Sequence, residues 1–565
     1  MTGITVTTFE WISLALLALC AWIFPRLGDS FFRRCERAFG RLAQQKQLAI
    51  LVVGMVPILL RLALLPLLPI PAPSIHDEFS YLLAADTFAQ GRLTNPPHPM
   101  WLSFETFHVN MWPTYASKYP PAQGMALAVG QLLGHPWLGV LLSVGAMCAA
   151  ICWMLQAWFP PEWALLGGLL AGIRFGSFSY WINSYWGGAV AGIGGALALG
   201  VLPLIRRTRR ARYAVLLGIG VAILANSRPL EGLIFTIPIF VWLTYWLLWN
   251  DEVPLSTKMR QAVLPLAVVL ALAGGWIVYY NWRVTGNPAL FPYVLNQRTY
   301  ETEPLFLWQS ARPKHPYNNA QLNLFYNTWT RSQYHRSWDD IQRVTNSKFQ
   351  SFWDTFLGPV CVLPAFMLPW VVQDRRSRFL VATFLISWLG LLCVVWWLGH
   401  YAAPLTGLTF ALVIQCMRHL RQLRFETRPV GLAWLRVSVL MLFVAFGASL
   451  VRQIQHPYSW IFGFGPGNLQ RASMLKSLQR QPGKHLIMVR YGHGHPHYVH
   501  DEWVYNSADI DSAKVVWARE LNTDQDEKVI SYFSDRHLWL VEPDNAPVEL
   551  KPYTAPTLIT STNTQ

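Results

Sequence analysis

A series of apolar runs separated by short charged loops is the feature that most restricts how this chain can fold. Most of the runs are long enough, or nearly so, to cross a bilayer as a helix. Of the 565 residues 53% are hydrophobic and only 13% are charged, a composition that excludes an ordinary soluble enzyme. The sequence predicts a polytopic α-helical membrane protein with about 12 transmembrane helices. The predicted spans are 11–25, 47–70, 137–158, 161–176, 187–205, 213–226, 230–249, 262–280, 351–372, 379–399, 402–417 and 434–451.

Arginine-rich loops predict the orientation of these helices. Arginines cluster in the loops 26–46 and 206–212, whereas the segment 71–136 contains only Arg92 and Lys118 as basic residues. Because such loops stay on the cytoplasmic side, the segments that remain are expected on the outer face. The same clusters account for the net charge of +15, so no nucleic-acid partner is expected. The predicted outer segments are 71–136, 177–186, 281–350 and 452–565.

The chain divides into three predicted parts. Residues 1–46 form an additional N-terminal transmembrane helix and a basic cytoplasmic loop, and residues 47–451 form the transmembrane core. No Lys or Arg precedes the first apolar run, which favours a retained helix over a cleavable signal peptide. Residues 452–565 are predicted to form a small extracytoplasmic α/β domain. Its expected strands are 485–489, 515–518 and 538–541, with a helix at 524–533.

Cysteine usage gives no sign of a disulfide framework or a thiolate metal site. Six of the seven cysteines lie within apolar runs, and Cys35 lies in a basic loop. None falls in the segments that are predicted to lie outside.

Two adjacent carboxylates, Asp77 and Glu78, follow the apolar run at 47–70. Charged groups beside a membrane are costly unless their charge is used, so the pair is a candidate for chemistry, with Asp77 as a general base. The alternative is a helix cap, because acidic residues in a first turn stabilise the helix dipole and satisfy N–H groups. Sequence position alone leaves both interpretations open.

Further polar groups are predicted to lie on the same outer face. Lys118 and Tyr119 precede two prolines, and Arg228 interrupts two apolar runs in Asn226-Ser227-Arg228-Pro229. Arg283 opens the outer loop 281–350 within Asn281-Trp282-Arg283-Val284-Thr285-Gly286-Asn287-Pro288, and His400-Tyr401 follows another span. The predicted substrate- or lipid-phosphate-binding residues are Lys118, Tyr119, Arg228, Arg283, His400 and Tyr401.

These motifs, in this order, resemble the GT-C superfamily of integral-membrane glycosyltransferases. The resemblance covers roughly residues 47–420 and is strongest to the branch with protein O-mannosyltransferases, lipid A aminoarabinose transferases and Rgt-like sugar transferases. It implies a GT-C-like fold, a polyprenyl-phosphate sugar donor and a hexosyl- or pentosyltransferase activity. It also implies that Asp77 is the base, that Glu78 contacts substrate or metal, and that Lys118 holds the donor phosphate. The resemblance does not determine which group Arg283 and His400 would contact.

The chemistry of such a transfer is consistent with these residues. A polyprenyl phosphate is already a good leaving group, so the reaction needs a base for the acceptor hydroxyl and cations for the departing phosphate. A single displacement of this kind inverts the anomeric carbon.

A histidine-rich stretch after residue 492 is a weak candidate for metal binding. His493, His495, His497 and His500 lie within eight residues and precede two carboxylates. Alternate histidines on an extended loop need not converge, so a solvated loop or one that contacts the acceptor is the competing interpretation. No cofactor is required by the sequence, and a divalent metal remains an option.

The function predicted from the sequence is sugar transfer on the outer face of a bacterial inner membrane. The expected partners are the lipid bilayer, the lipid-linked donor and an envelope glycolipid, glycan or protein acceptor. The main alternative is a transporter or flippase of lipid-linked sugars, which would place ionisable groups near the bilayer midplane. A third possibility is a catalytically silent membrane protein whose outer domain binds an envelope partner.

Overall fold

Helices form most of the molecule. The computed structural model describes residues 6–208, 210–249, 253–334, 337–455, 468–492 and 502–554. In the first half the elements are α1 (Val6–Ile23), α2 (Asp29–Gln44), α3 (Lys46–Ala63), α4 (His76–Ala89), α5 (Trp101–Phe104), β1 (Val109–Asn110), β2 (Ala116–Ser117), α6 (Pro121–Leu132), α7 (Pro136–Trp158), α8 (Pro161–Phe175), α9 (Ala189–Thr208), α10 (Ala211–Ala225), α11 (Pro229–Trp249), α12 (Leu255–Lys258) and α13 (Leu264–Thr285).

The second half has shorter helices and a sheet. Its elements are α14 (Pro292–Tyr300), α15 (Ala320–Leu324), α16 (Thr330–Ser332), α17 (Trp338–Phe352), α18 (Val362–Ala365), α19 (Leu368–Gln373), α20 (Arg378–Leu392), α21 (Thr406–Gln422), α22 (Val430–Gln455), α23 (Leu469–Arg480), β3 (Lys484–Val489), β4 (Val515–Arg519), α24 (Thr523–Tyr532), β5 (Arg536–Val541) and β6 (Leu550–Pro552). Single π-helical turns occupy Met259–Val263, Phe325–Trp329 and Trp353–Leu357, and 3-10 turns occupy Pro359–Cys361 and Gly399–Leu405.

Proline marks where many of these helices begin. The first residue of α6, α7, α8, α11 and α14 is a proline in each case. The first N–H of a helix has no intrahelical partner and the fixed φ of proline suits a helix start, so proline is tolerated there. Proline therefore marks the N-terminal end of each of these five helices.

Six helices in the described part of the chain are long and apolar enough to cross a membrane. They are Lys46–Ala63, Pro136–Trp158, Ala189–Thr208, Pro229–Trp249, Leu255–Thr285 and Val430–Gln455. Three shorter apolar helices, Thr8–Ile23, Ala211–Ala225 and Arg378–Leu392, also coincide with predicted spans. A membrane-protein fold is therefore supported, while the total of about 12 crossings stays a prediction.

The predicted span 351–372 is not a continuous helix, which corrects the interpretation of that run. The chain there forms a π turn, a 3-10 turn and the two short helices α18 and α19. Gly358 adopts a left-handed φ of 66° and Pro359 lacks an N–H, so the helical hydrogen bonds cannot continue through this point. Average hydropathy does not detect this break because both residues lie within an apolar run.

The predicted outer segments 71–136, 177–186 and 281–350 contact one another. The side-chain amide of Gln123 donates to the carbonyl of Tyr185 at 2.9 Å, and that of Asn110 donates to the carbonyl of Pro292 at 3.1 Å. Such contacts are expected if these segments lie on the same face of the membrane. Which side of a membrane that face occupies stays a prediction.

The C-terminal strands form one four-stranded sheet in the order β4-β3-β5-β6. Strand β3 pairs in parallel with β4 and β5, and β6 adds antiparallel to β5. Helix α24 connects β4 to β5, which lie on opposite sides of β3, so this connection crosses over β3 between two parallel strands. The three strands and the helix predicted from the sequence lie within two residues of their observed positions.

This sheet shares a hydrophobic core with the segment 71–136. Leu83, Phe104 and Val109 pack in one cluster with Leu486 and Val516 of the sheet. The backbone N–H of Ala508 also donates to Asp86 Oδ2 at 2.7 Å. The sheet therefore supports helix α4, which begins with the carboxylate pair.

Candidate active site

Helix α4 begins directly after an extended residue, Ile75, and places two carboxylates in its first turn. Backbone N–H groups in a first turn have no helical acceptor and the dipole favours negative charge there. The side chain of Glu78 places a carboxylate at this end of the helix and accepts from backbone N–H groups that lie just before α4 and in the segment 177–186. Its Oε2 accepts from the N–H of Ser74 at 2.7 Å and of Ile75 at 3.2 Å, and its Oε1 accepts from the N–H of Tyr185 at 3.0 Å.

These contacts correct the role that the family resemblance implied for Glu78. The side chain is only 3% exposed, both oxygens already accept backbone hydrogen bonds, and it is not among the described residues that line the cavity next to it. Burial raises the pKa of this carboxyl, and the backbone N–H groups oppose that rise. Glu78 is the helix cap, and it ties the start of α4 to the segment 177–186.

Asp77 points the other way, into a cavity of about 530 Å³. Residues one apart on a helix point in directions about 100° apart, so adjacent carboxylates meet different surroundings. Tyr119 donates its hydroxyl hydrogen to Asp77 Oδ1 through a short hydrogen bond. The other oxygen, Oδ2, lies 3.9 Å from His108 Nε2.

The electrostatic surroundings of Asp77 suit a base. Burial raises the pKa of this carboxyl above its usual value, while the hydrogen bond from Tyr119 and the charges of Lys118 and Arg228 act in the opposite direction. A carboxylate with a raised pKa binds a proton more strongly than an exposed one. Asp77 is therefore partly desolvated and faces the cavity.

Lys118 is held at the cavity wall by the short strand pair. Its backbone N–H donates to the carbonyl of His108 at 3.1 Å, directly beyond β2. Its ammonium lies 3.0 Å from Glu301 Oε1, in a buried ion pair, and 5.1 Å from the ring centre of Tyr293. The Lys118 charge is therefore fixed in place by a carboxylate from the loop 281–350.

Arg228 provides the second cation of the cavity. It lies in the break between α10 and α11, where the sequence placed it, and its Nη1 is 3.8 Å from Glu231 Oε1. The guanidinium carbon lies 4.5 Å from the ring centre of Tyr401, so Arg228 and Tyr401 stack. The two basic groups and Asp77 line a single cavity.

The remaining wall is largely aromatic and apolar. Tyr81 stacks on Tyr119 with ring centres 4.4 Å apart, which fixes the hydroxyl that reaches Asp77. Burial raises the pKa of Tyr119 strongly, so the phenol stays a hydrogen-bond donor. The apolar part of the lining includes Leu230, Ile277, Leu305, Val394 and Leu398.

Arg283 does not reach this cavity, contrary to its predicted role as a binding residue. It is exposed, and its Nη1 lies 3.5 Å from the hydroxyl of Tyr279 one turn earlier. The neighbours Tyr280 and Asn281 occupy the cavity side of α13. Helical periodicity thus turns Arg283 outward, and the position of the motif along the chain could not show this.

His400 is likewise a packing residue in this structure, which corrects its predicted binding role. Its ring is 1% exposed, its Nδ1 lies 2.9 Å from the hydroxyl of Tyr180, and its ring centre is 4.8 Å from that of Trp186. Burial, followed by the charge of Arg228, lowers its pKa, so the imidazole is neutral. The next residue, Tyr401, is the one that lines the cavity.

The histidine-rich stretch lies outside the described residues. The prediction of a metal at His493, His495, His497 and His500 is therefore untested. Within the described part of the chain no group of three or more His, Cys, Asp or Glu side chains is arranged to hold a metal ion.

Four histidine or acidic residues of the described cavity lining, His108, Glu231, Glu301 and Glu303, were not predicted from the sequence. Glu303 Oε2 accepts from the hydroxyl of Thr330 at 2.8 Å, and burial together with the neighbouring Glu301 raises its pKa. The available signal was Glu301-Thr302-Glu303, two acidic residues close together in a predicted outer loop. His108 had no comparable signal, because nothing in sequence relates it to Asp77.

Comparisons with known proteins give two kinds of result. No family model matches the chain, and no curated protein matches it by sequence. Among solved structures, it is similar to ArnT from Cupriavidus metallidurans bound to undecaprenyl phosphate, with 13% identity and a TM-score of 0.47 over 88% of this chain and 92% of that one. It is also similar to the Archaeoglobus fulgidus oligosaccharyltransferase tethered with an acceptor peptide, with 10% identity and a TM-score of 0.46 over 88% and 69%.

A third similar structure is the archaeal AglB in complex with an inhibitory peptide and a dolichol-phosphate, with 10% identity and a TM-score of 0.42 over 88% of this chain and 69% of that one. Because all three TM-scores lie below 0.5, the role of each residue is argued below from this chain's own geometry.

Proposed function

We propose that this protein is a membrane glycosyltransferase that moves a hexosyl or pentosyl group from a polyprenyl-phosphate donor to a hydroxyl acceptor. The observation that supports the proposal is a single cavity that contains a desolvated carboxylate, Asp77, and two fixed cations, Lys118 and Arg228. Transfer from a phosphate leaving group needs a base and positive charge in one place.

The reaction follows from these positions. Asp77 removes the proton from the acceptor hydroxyl while the hydroxyl oxygen attacks the anomeric carbon. The bond from that carbon to the phosphate oxygen breaks, and its electron pair stays on the phosphate. Lys118 and Arg228 stabilise the charge that develops there. One displacement inverts the anomeric centre.

The ion pair of Lys118 with Glu301 supports a role in orienting the phosphate. A lysine side chain is flexible, and Glu301 restricts its ammonium to one position 3.0 Å away. A donor phosphate would add a second anionic partner to the same ammonium. The apolar residues of the lining would contact the isoprenoid chain of the donor.

The site and the acceptor are proposed to lie on the outer face of a bacterial inner membrane. The arginine-rich loops support this orientation through the positive-inside rule. The acceptor would then be an envelope glycolipid, glycan or protein.

The test uses the full-length protein in proteoliposomes, with a panel of hexosyl and pentosyl undecaprenyl phosphates as donors. We expect release of undecaprenyl phosphate and formation of a glycoside with inverted configuration. A transporter or flippase would instead carry the intact donor across the bilayer. Translocation without cleavage for every donor would contradict the proposal.

A further inference from the structure

His108 has an unusual backbone for a residue with a side chain. Its φ is +60°, in the left-handed region, where few residues other than glycine are found. Its carbonyl accepts from the N–H of Lys118 at 3.1 Å and from the hydroxyl of Ser80 at 2.7 Å, which holds the backbone from two sides. Unfavourable backbone conformations that the surroundings maintain occur preferentially at functional sites.

The ring of His108 is directed at the reactive end of Asp77. Its Nε2 lies 3.9 Å from Asp77 Oδ2, and the side chain is 11% exposed and lines the cavity. Tyr119 donates to the other oxygen, Oδ1, so Oδ2 is the carboxylate oxygen that faces the imidazole. The ring packs among Tyr119, Phe325 and His76, with centres 5.6 to 6.0 Å away.

The charged and titratable surroundings of His108 come from several elements. Helix α4 contributes Asp77 and His76, and the segment after β2 contributes Lys118 and Tyr119. Arg228 lines the same cavity from the break before α11, and the π turn at Phe325–Trp329 presents the ring of Phe325. Glu231, Glu301 and Glu303 also line this cavity, so it contains carboxylates as well as the two cations.

We propose that His108 accepts the proton that Asp77 removes from the acceptor hydroxyl; this inference rests on the proposed function. The hydroxyl proton passes first to Asp77 Oδ2 as the new glycosidic bond forms and the phosphate leaves with its electron pair. The proton then moves from Oδ2 to His108 Nε2, which restores the carboxylate and leaves an imidazolium. The imidazolium finally loses its proton to water in the cavity.

The 3.9 Å separation is compatible with this step. Catalytic hydrogen bonds are often long without substrate and shorten in the complex, or one water bridges them. Because Asp77 is partly desolvated, an immediate acceptor lets the base return to its ionised form within the cavity.

Two substitutions test the role of His108 without straining the backbone. Asparagine tolerates a left-handed φ but cannot take up the proton, and glycine adopts this φ readily and leaves space for a small base. We expect His108→Asn and His108→Gly to lower kcat at least about tenfold with little change in the KM for the undecaprenyl-phosphate donor. Added imidazole is expected to restore turnover in the glycine variant only.

The pH–rate profile gives an independent readout. In the native protein, kcat/KM should fall on the acid side with a dependence on two protons, from the coupled Asp77 and His108. In His108→Asn, the dependence should be on one proton. A residue that only supports the structure would not change this slope.

His315→Ala is the matched control, because His315 is exposed and lies outside the described lining of the cavity. It should leave kcat unchanged with or without imidazole. Native kcat in His108→Asn, or a folded His108→Gly variant that imidazole does not restore, would overturn the inference. If the native protein releases no undecaprenyl phosphate from any donor, the proposed function itself fails, which separates the two results.

Discussion

The first turn of α4 carries two carboxylates, and their surroundings differ. Asp77 faces the cavity, where its partners are the side chains Tyr119 and His108. Glu78 faces the packed side, where its partners are backbone N–H groups of Ser74, Ile75 and Tyr185. One carboxylate faces a cavity and the other is packed against backbone, because successive residues of a helix point about 100° apart.

The comparison teaches that adjacent carboxylates need not share a function. A carboxylate whose oxygens accept backbone N–H groups is fixed and contributes to stability. A carboxylate that meets an aromatic hydroxyl and an imidazole across a cavity keeps the capacity to exchange a proton. The cap and the base were alternatives for the pair in sequence, and the proposed mechanism divides them between its two members.

The largest expected effect is a loss of enzymatic activity when Asp77, which faces the cavity, is replaced. Asp77→Asn keeps the shape of the side chain but cannot act as a base. We expect kcat to fall about 10²- to 10⁴-fold, with no loss in the thermal unfolding midpoint. Release of undecaprenyl phosphate and a thermal melt of the same preparation check this. Substantial turnover in a folded Asp77→Asn protein would remove Asp77 from the mechanism.

The second effect is a loss of protein stability when Glu78, on the packed side of α4, is replaced. Glu78→Gln replaces one carboxylate oxygen by an amide NH2 that opposes the backbone donors at the start of α4. We expect the free energy of unfolding to drop by about 2–3 kcal/mol, with a smaller loss of kcat per folded molecule than in Asp77→Asn. Equilibrium unfolding in mixed detergent measures it. If the two variants lose activity equally at unchanged stability, the division of roles is wrong.

A third, smaller effect distinguishes Lys118, which lines the cavity, from Arg283, which does not. Removing Lys118 alone would leave Glu301 as an uncompensated buried charge, so the informative variant is Lys118→Gln with Glu301→Gln. We expect the KM for the donor to rise about tenfold. Arg283→Gln, at an exposed position, should leave it unchanged. A response to Arg283→Gln alone would show that the cavity is not the donor site.

The smallest effect is the pH dependence of stability. Burial raises the pKa of both Asp77 and Glu78, so each stabilises the fold below its unfolded pKa and that stability is lost as pH rises through its folded pKa. Asp77→Asn should make the decline above about pH 4 shallower, by about 1.4 kcal/mol for every tenfold by which folding strengthens proton binding to this carboxyl. Unfolding measured across this range checks the sign. A steeper decline in the variant would mean that folding lowers the pKa of Asp77 instead of raising it.

Much of the architecture was predictable because local patterns determine it. Long apolar runs predicted membrane helices, and alternating strand and helix patterns predicted the sheet with β3, β4 and β5 close to their observed bounds. The break at Gly358 was missed because hydropathy averages over the two residues that interrupt the helix.

The candidate site was predictable only in part. The sequence by itself selected Asp77, Lys118, Tyr119, Arg228 and Tyr401, because they lie in polar motifs beside apolar runs, where charged groups are costly unless their charge is used. Only the tertiary structure separated Asp77 from Glu78, turned Arg283 outward and buried His400, because these outcomes depend on the rotation of each side chain about its helix. Only the structure joined His108 and Glu301 to the cavity, since no local pattern records which distant segments pack together.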